Sequence, residues 1–340
     1  MARSIPSWLK RREWLLAAMT VCVYFFFNGQ MSEAYTFEKL LNQTRVYMVD
    51  VGFMSLGMLL VLILGDIDIS VASTAALAST VMAVCHQAGL PFPLALPVML
   101  AVGAACGAVN GLLVIRFKEL FPMIITLSTG TLYRGIAYII LKDQSAGGFP
   151  GWFSRNLGYD SVPFLGVGVP VMLFFLLAAL PVFYIWLHRT ASGRRIFATG
   201  TNIAASRYSG LPTDRIKMLV FILNGVMAAV GGIFLCARTG SVKYTIATGF
   251  EMQAIAIAVL GGASTAGGKG SVPGIFLALV LMTCLKNGLM LIYNDAFILN
   301  LSIGVLLIAI VLFPDFAMRF KRRGLLRRQR AAAALVSSRE

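Results

Sequence analysis

Apolar stretches of near-membrane length alternate with short polar breaks along almost the whole chain. A helix needs about 20 apolar residues to cross a bilayer. On that scale the pattern predicts spans over 14–28, 46–64, 71–85, 92–115, 120–141, 162–187, 218–236, 252–260, 275–293 and 297–313. The third and eighth are short and are read either as spans or as re-entrant pieces; the eighth reaches full length only if 246–251 continue it. The longest polar interval, 188–217, is rich in Arg and Lys, which places it in the cytoplasm. The expectation is an all-α polytopic membrane protein of about ten transmembrane helices. Residues 1–13 form a cytoplasmic N-terminus, 14–313 the transmembrane region with its loop at 188–217, and 314–340 a basic cytoplasmic tail.

Composition sharpens this picture. Of 340 residues, 58% are hydrophobic and 13% charged, whereas soluble domains carry about 25% charged residues. A soluble globular domain is excluded. The net charge of +15 invites a nucleic-acid reading, but the charges lie in loops between apolar runs, the pattern of the positive-inside rule. With the N-terminus inside, most Lys and Arg fall on the cytoplasmic side, and both termini are cytoplasmic. The tail from Arg319 to Arg330 is placed to meet anionic headgroups of the lipid bilayer. No small-residue cleavage site follows the first apolar run, so it is read as an uncleaved span.

The five cysteines are scattered through the spans, and with only His86 and His188 no zinc site can be assembled. The stretch 262–270 fails as a phosphate-binding loop, because Ala263 and Gly270 stand where Gly and Ser or Thr are required. No cofactor is therefore expected in this chain, and any ATP must be bound by a partner subunit. No cluster of nucleophile, base or metal ligand supports an enzyme.

Several polar residues stand out. Asp66, Asp68 and Ser70 sit in an apolar region where a lipid-facing carboxylate is costly. They form either a turn in which Asp68 caps the third helix or a break lining a substrate path. Gly261, Gly262, Gly267 and Gly268 follow the short eighth segment. If spans two to five repeat as spans seven to ten in inverted orientation, the two short segments correspond, as paired interrupted helices do in transporters. Gly103, Gly107 and Gly111 form a small-residue ladder for close helix packing, with Gly225 and Ala229 in a similar role. Asn110 and Asn224 are expected to bond between helices. Arg134 should snorkel or meet a carboxylate, and a substrate contact is the lesser reading. Glu251 should pair with Arg238 or Lys243 or contact an external partner, and Lys286 should snorkel. In the 188–217 loop, Asn202 and Gly210 punctuate two short helices. Ile196, Phe197, Ile203, Tyr208 and Leu211 there call for a covering partner.

Six ordered motifs carry a family resemblance across 46–313. They are Gly65-Asp66-Ile67-Asp68-Ile69-Ser70-Val71; Asn110-Gly111-Leu112-Leu113; Pro122 to Thr126 with Arg134-Gly135; Arg189-Thr190 with Gly193-Arg194; Ala198-Thr199-Gly200-Thr201-Asn202 with Ala204-Ala205 and Ser209-Gly210; and Glu251 to Gly262 with Gly267-Gly268. In these the chain resembles the membrane permease subunits of bacterial ABC importers for ribose, related simple sugars and autoinducer-2. The resemblance implies a multi-pass inner-membrane protein whose pore contains a second permease copy, identical or related. It implies ATP-binding subunits docked on the 188–217 loop, with Arg189, Gly193, Arg194, Ala198, Gly200, Asn202, Ala205, Ser209 and Gly210 as the coupling residues. It also implies an extracytoplasmic substrate-binding protein, and no nucleic acid. The chain departs from the family pattern at Asp66 and Ala72, where Gly is usual or frequent, and at Arg195, an added charge. An ion-gradient-driven secondary transporter of a small polar solute is the alternative; it would need acidic or His relays within spans, and those are nearly absent.

Overall fold

The computed structural model describes residues 12–164 and 166–295, with isolated positions between 298 and 308. Residues 1–11, most of the expected tenth span and the basic tail lie outside the described residues. The chain divides into two units, 1–294 and 295–340, and every element named below belongs to the first.

The helices are α1 (Arg12–Gln30), α2 (Phe37–Tyr47), α3 (Val49–Ile63), α4 (Val71–Gln87), α5 (Phe92–Arg116), α6 (Pro122–Leu141), α7 (Val171–Arg189), α8 (Ala191–Thr201), α9 (Ile203–Tyr208), α10 (Thr213–Thr239), α11 (Phe250–Leu260) and α12 (Val272–Tyr293). Among the described residues five are long and apolar enough to cross a membrane (α5, α6, α7, α10 and α12). They become six if α2 and α3, bent by 58° at Met48, make one broken span. The chain is thus a mostly helical polytopic membrane protein.

Three expected spans are corrected. The second, 46–64, is broken at Met48 and preceded by the amphipathic α2, whose polar residues Glu38, Lys39, Asn42 and Arg45 had hidden its helical period. The sixth does not begin at Val162: strands β2 (Ser161–Phe164) and β3 (Val167–Pro170) pair antiparallel, and the helix starts only at Val171. Alternating Val, Phe, Gly and Pro favour that hairpin over a helix. The eighth gains only Phe250 and Glu251 and not the rest of 246–251, because Gly249 at φ +86° caps α11 in a left-handed conformation. A second short ladder, Ala146–Gly147 with Ser241–Val242, ties the segment after α6 to the end of α10.

The bundle is built around α3 and α10. Every residue of α3 is buried. α10 packs on α3, α4 and α5, while α11 packs on α3 and α12. The α5–α10 seam is main chain against main chain. A Cβ on Gly107 would lie 2.3 Å from the Phe221 carbonyl oxygen, and one on Gly225 would lie 2.1 Å from that of Gly103. The expected small-residue ladder is this seam. α6 and α7 are peripheral and expose large apolar side chains such as Ile139 (71%) and Val182, as surfaces facing lipid or another membrane subunit do.

Candidate functional site

The 65–70 loop, between α3 and α4, carries much of the buried polar chemistry. Asp68 is 2% exposed. Its Oδ1 accepts from the Ser70 N–H at 2.8 Å and the Ser70 hydroxyl at 2.6 Å, so it fastens the start of α4. Its Oδ2 accepts from Asn224 of α10 at 2.8 Å and, more weakly, from Asn110 of α5 at 3.5 Å. Asn110 also donates to the Ser70 hydroxyl at 2.7 Å, and the Tyr133 hydroxyl of α6 donates to Asn110 at 3.0 Å. One carboxylate thus joins α4, α5 and α10, and Asn110 carries the network on to α6. These bonds fit the helix-start reading, extended to other helices, and both Asp68 and Ser70 are buried. Asp66 pairs with Lys217 at 2.8 Å, within the chain. Burial pushes the Asp66 carboxyl up, and the Lys217 ammonium works against that shift. The partner of Asp66 was not legible because Lys217 is 151 residues away.

Two glycine-bearing segments converge where α3 ends. The Gly268 N–H donates to the Ile63 carbonyl at 2.8 Å. A Cβ on Gly200 would fall 1.7 Å from the same oxygen, and one on Gly267 would fall 2.5 Å from the Gly200 carbonyl. Gly267 and Gly268 have φ of +85° and +72°, a region that only glycine enters without strain. So Gly200 of the 188–217 loop, Gly267 and Gly268 touch the last turn of α3. Gly261 lies elsewhere, against Gly274 of α12, and Gly262 forms a turn with open space around it.

α8 and α9 present two faces. Thr190 and Asn202 cap them by accepting from the N–H groups of Gly193 and Ala205. Gly193, Ile196 and Thr199 face inward, and a Cβ on Gly193 would sit 1.8 Å from the Leu187 carbonyl oxygen. The protein itself therefore covers Ile196, which had been assigned to a partner. Arg189, Arg194, Ala198, Asn202, Ala205, Ser209 and Gly210 all face outward, and Tyr208 is 94% exposed.

Arg134 reaches across to the segment before α11, with the Glu251 carboxylate near enough to act on its charge. The Arg134 Nη1 donates to the carbonyls of Tyr244 at 2.6 Å and Ile246 at 3.3 Å and to the Thr248 hydroxyl at 3.2 Å, and its Nε donates to Ser73 at 3.3 Å. Glu251 is not paired with Arg238, which instead bonds Asp50 at 3.1 Å. Glu251 and Arg134 line one cavity of about 420 Å3 together with Ile69, Ser73, Thr131, Tyr138, Tyr244 and Thr248. Lys286 is buried as well, donating to Gln253 and lying 5.8 Å over the Tyr47 ring. The Asp50–Arg238 pair escaped sequence reasoning; the one available signal was a carboxylate inside an apolar run.

Residues 40–313 match the family described as the branched-chain amino acid transport system permease component. The chain belongs to that permease family. It is 35% identical, over 88% of its length and 90% of the relative's, to the autoinducer 2 import system permease protein LsrD of Yersinia enterocolitica. The corresponding protein of Yersinia pestis is 33% identical over the same shares. No solved structure matches. As a family member the chain is a permease subunit of an ABC importer and a multi-pass protein of the inner membrane. Such importers work with ATP-binding and substrate-binding partners.

Proposed function

We propose that this chain forms part of the pore of an ABC importer for a sugar-like molecule of the ribose, rhamnose or autoinducer-2 class. In this reading the chain has about ten spans in two inverted halves, with both termini in the cytoplasm. The mutual packing of α4 on α10 and of α11 on α3 supports the two halves. A second permease copy, identical or related, completes the pore. ATP-binding subunits dock on the outward faces of α8 and α9, and a binding protein delivers substrate from outside. This chain itself binds no ATP and catalyses nothing.

The observation that carries the reading is the contact of Gly200 with the Ile63 carbonyl. It joins a helix pair suited to a soluble partner directly to the 65–70 loop. A push on α8 is passed through main-chain atoms to α3, and through Asp68 to α4, α5 and α10. ATP biases one of two pore states only through contacts that differ between them, and the junction is where such a difference reaches the spans.

The test is uptake of labelled ribose, rhamnose and autoinducer-2 by cells carrying the complete importer, with the Walker lysine of the partner ATPase intact or replaced. Uptake that needs the lysine and survives a proton uncoupler, with ATP maintained, supports the reading. Uptake indifferent to the lysine and abolished by the uncoupler rejects it in favour of a secondary transporter.

A further inference from the structure

Resting on that reading, we propose that the Arg134–Glu251 cavity is a station for a neutral, hydroxyl-rich substrate, and that Glu251 is the acceptor that selects it. The cavity volume, about 420 Å3, lies in the range of small-molecule sites, about 300–1,000 Å3. Its walls combine apolar surface with a few converging polar groups, which is how such sites fix a ligand's orientation.

The two charged residues are not equivalent. Arg134 is engaged by the protein: three oxygens of the 243–249 segment and the Ser73 hydroxyl take its Nη1 and Nε donors. It is thereby a strut for the loop. The Glu251 Oε2 is enclosed and has no hydrogen-bond partner among the described residues. A buried carboxylate oxygen without a donor is costly, and polar groups left so in folded proteins call for a specific explanation. Sugar hydroxyls are donors of the required kind, and Glu251 lines the cavity, so a turn of its side chain would present Oε2 to one of them. Tyr138 and Tyr244, edge to face at 5.0 Å, offer ring surface for the C–H faces of such a molecule. A phosphorylated sugar would bring its negative charge against Glu251, and Arg134, with Nη1 and Nε bonded to the protein, has only Nη2 to set against it. The cavity therefore favours an uncharged polyol over its phosphate.

The loop that forms one wall also explains why a station belongs here. Ile69 lines the cavity, and its N–H donates to Thr126 of α6 at 3.1 Å. The preceding residues of the same loop carry Asp68 and Asp66. Movement at the Gly200 junction is thus felt at the cavity wall.

Gly135 lines the cavity, and a Cβ there meets nothing within 4 Å. Gly135→Cys therefore places a thiol at the wall without a clash. The experiment uses the assembled permease–ATPase complex, above the labelling background of the native cysteines. The reporter is labelled with a maleimide in the presence of autoinducer-2, D-ribose or D-ribose 5-phosphate. The expected result is protection by whichever neutral compound the importer transports, and none by the phosphate. Adding Glu251→Gln should raise the half-protecting concentration about tenfold or more while the complex stays assembled. The conservative Glu251→Asp should recover part of the protection. Absence of protection, equal protection by the phosphate, or protection unchanged by Glu251→Gln would overturn the assignment. Transport of a neutral compound that leaves the thiol unprotected sinks the station alone. A complex with no ATP-dependent uptake of any of them sinks the importer reading beneath it.

Discussion

At Gly200 three stretches of main chain meet with no side chain between them, whereas at Arg134 one long side chain holds a loop off the wall and leaves about 420 Å3 open. Both regions touch the 65–70 loop, the first through Ile63 just before it and the second through Ile69 within it. Their chemistry divides accordingly. The junction transmits position, because packed main chain has little freedom to absorb a push. The cavity offers donors and acceptors, and its shape depends on four bonds from one guanidinium. Substitutions should therefore act by steric exclusion at the first and by lost chemistry at the second.

The largest effect is expected from Gly200→Val. The new side chain cannot share space with the Ile63 carbonyl, and the strain is on the order of 3 kcal/mol, the upper end for overpacking. ATP-dependent uptake should fall to background while the protein still inserts, as read by membrane fractionation. Normal uptake would show that the junction opens freely and would erase the contrast. Next comes Asp68→Ala, which strands the donors of Ser70 and Asn224 in a buried site at a cost of about 2–3 kcal/mol. Its apparent melting temperature in detergent should drop clearly.

Arg134→Met should leave the complex assembled but lower uptake about tenfold, since the loop loses a charge-assisted anchor. Pull-down of the ATPase and uptake are measured side by side; loss of both together would make Arg134 a folding residue instead. A double-mutant cycle on Asp66→Ala and Lys217→Ala should give a coupling of about 1–2 kcal/mol, because the pair is largely shielded from water. The smallest effect belongs to Lys118→Ala. Its bond to Asp214 is half exposed, so thermal stability should change by no more than about 0.5 kcal/mol.

Much of the architecture was legible because bilayer thickness imposes it. The runs that became α5, α6, α10 and α12 were visible from apolar length alone, and the glycine spacing in α5 announced a close seam. What escaped were features set by partners far along the chain. The bend at Met48 lies inside an apolar run and is revealed by α2, while the hairpin at Val162 was masked by apolar length although its Gly and Pro residues spoke for it. Of the partners expected for Glu251, Arg238 stands close in sequence but bonds Asp50, 188 residues from it. The coupling residues were recognised by motif. That Gly200 must be glycine became clear only when Ile63 and Gly267 were found beside it.

The α5–α10 seam carries a mechanical consequence. Side chains that interdigitate can exchange one rotamer for another and so act as detents between two positions. Gly103, Gly107 and Gly225 offer none, since each stands against a backbone carbonyl. The two helices therefore act as a stator, one rigid piece that neither ratchets nor slides in small steps. Conformational work in this pore falls to the rotor elements packed around that piece, α3 and α4 above all, and a crosslink across the seam should cost transport nothing.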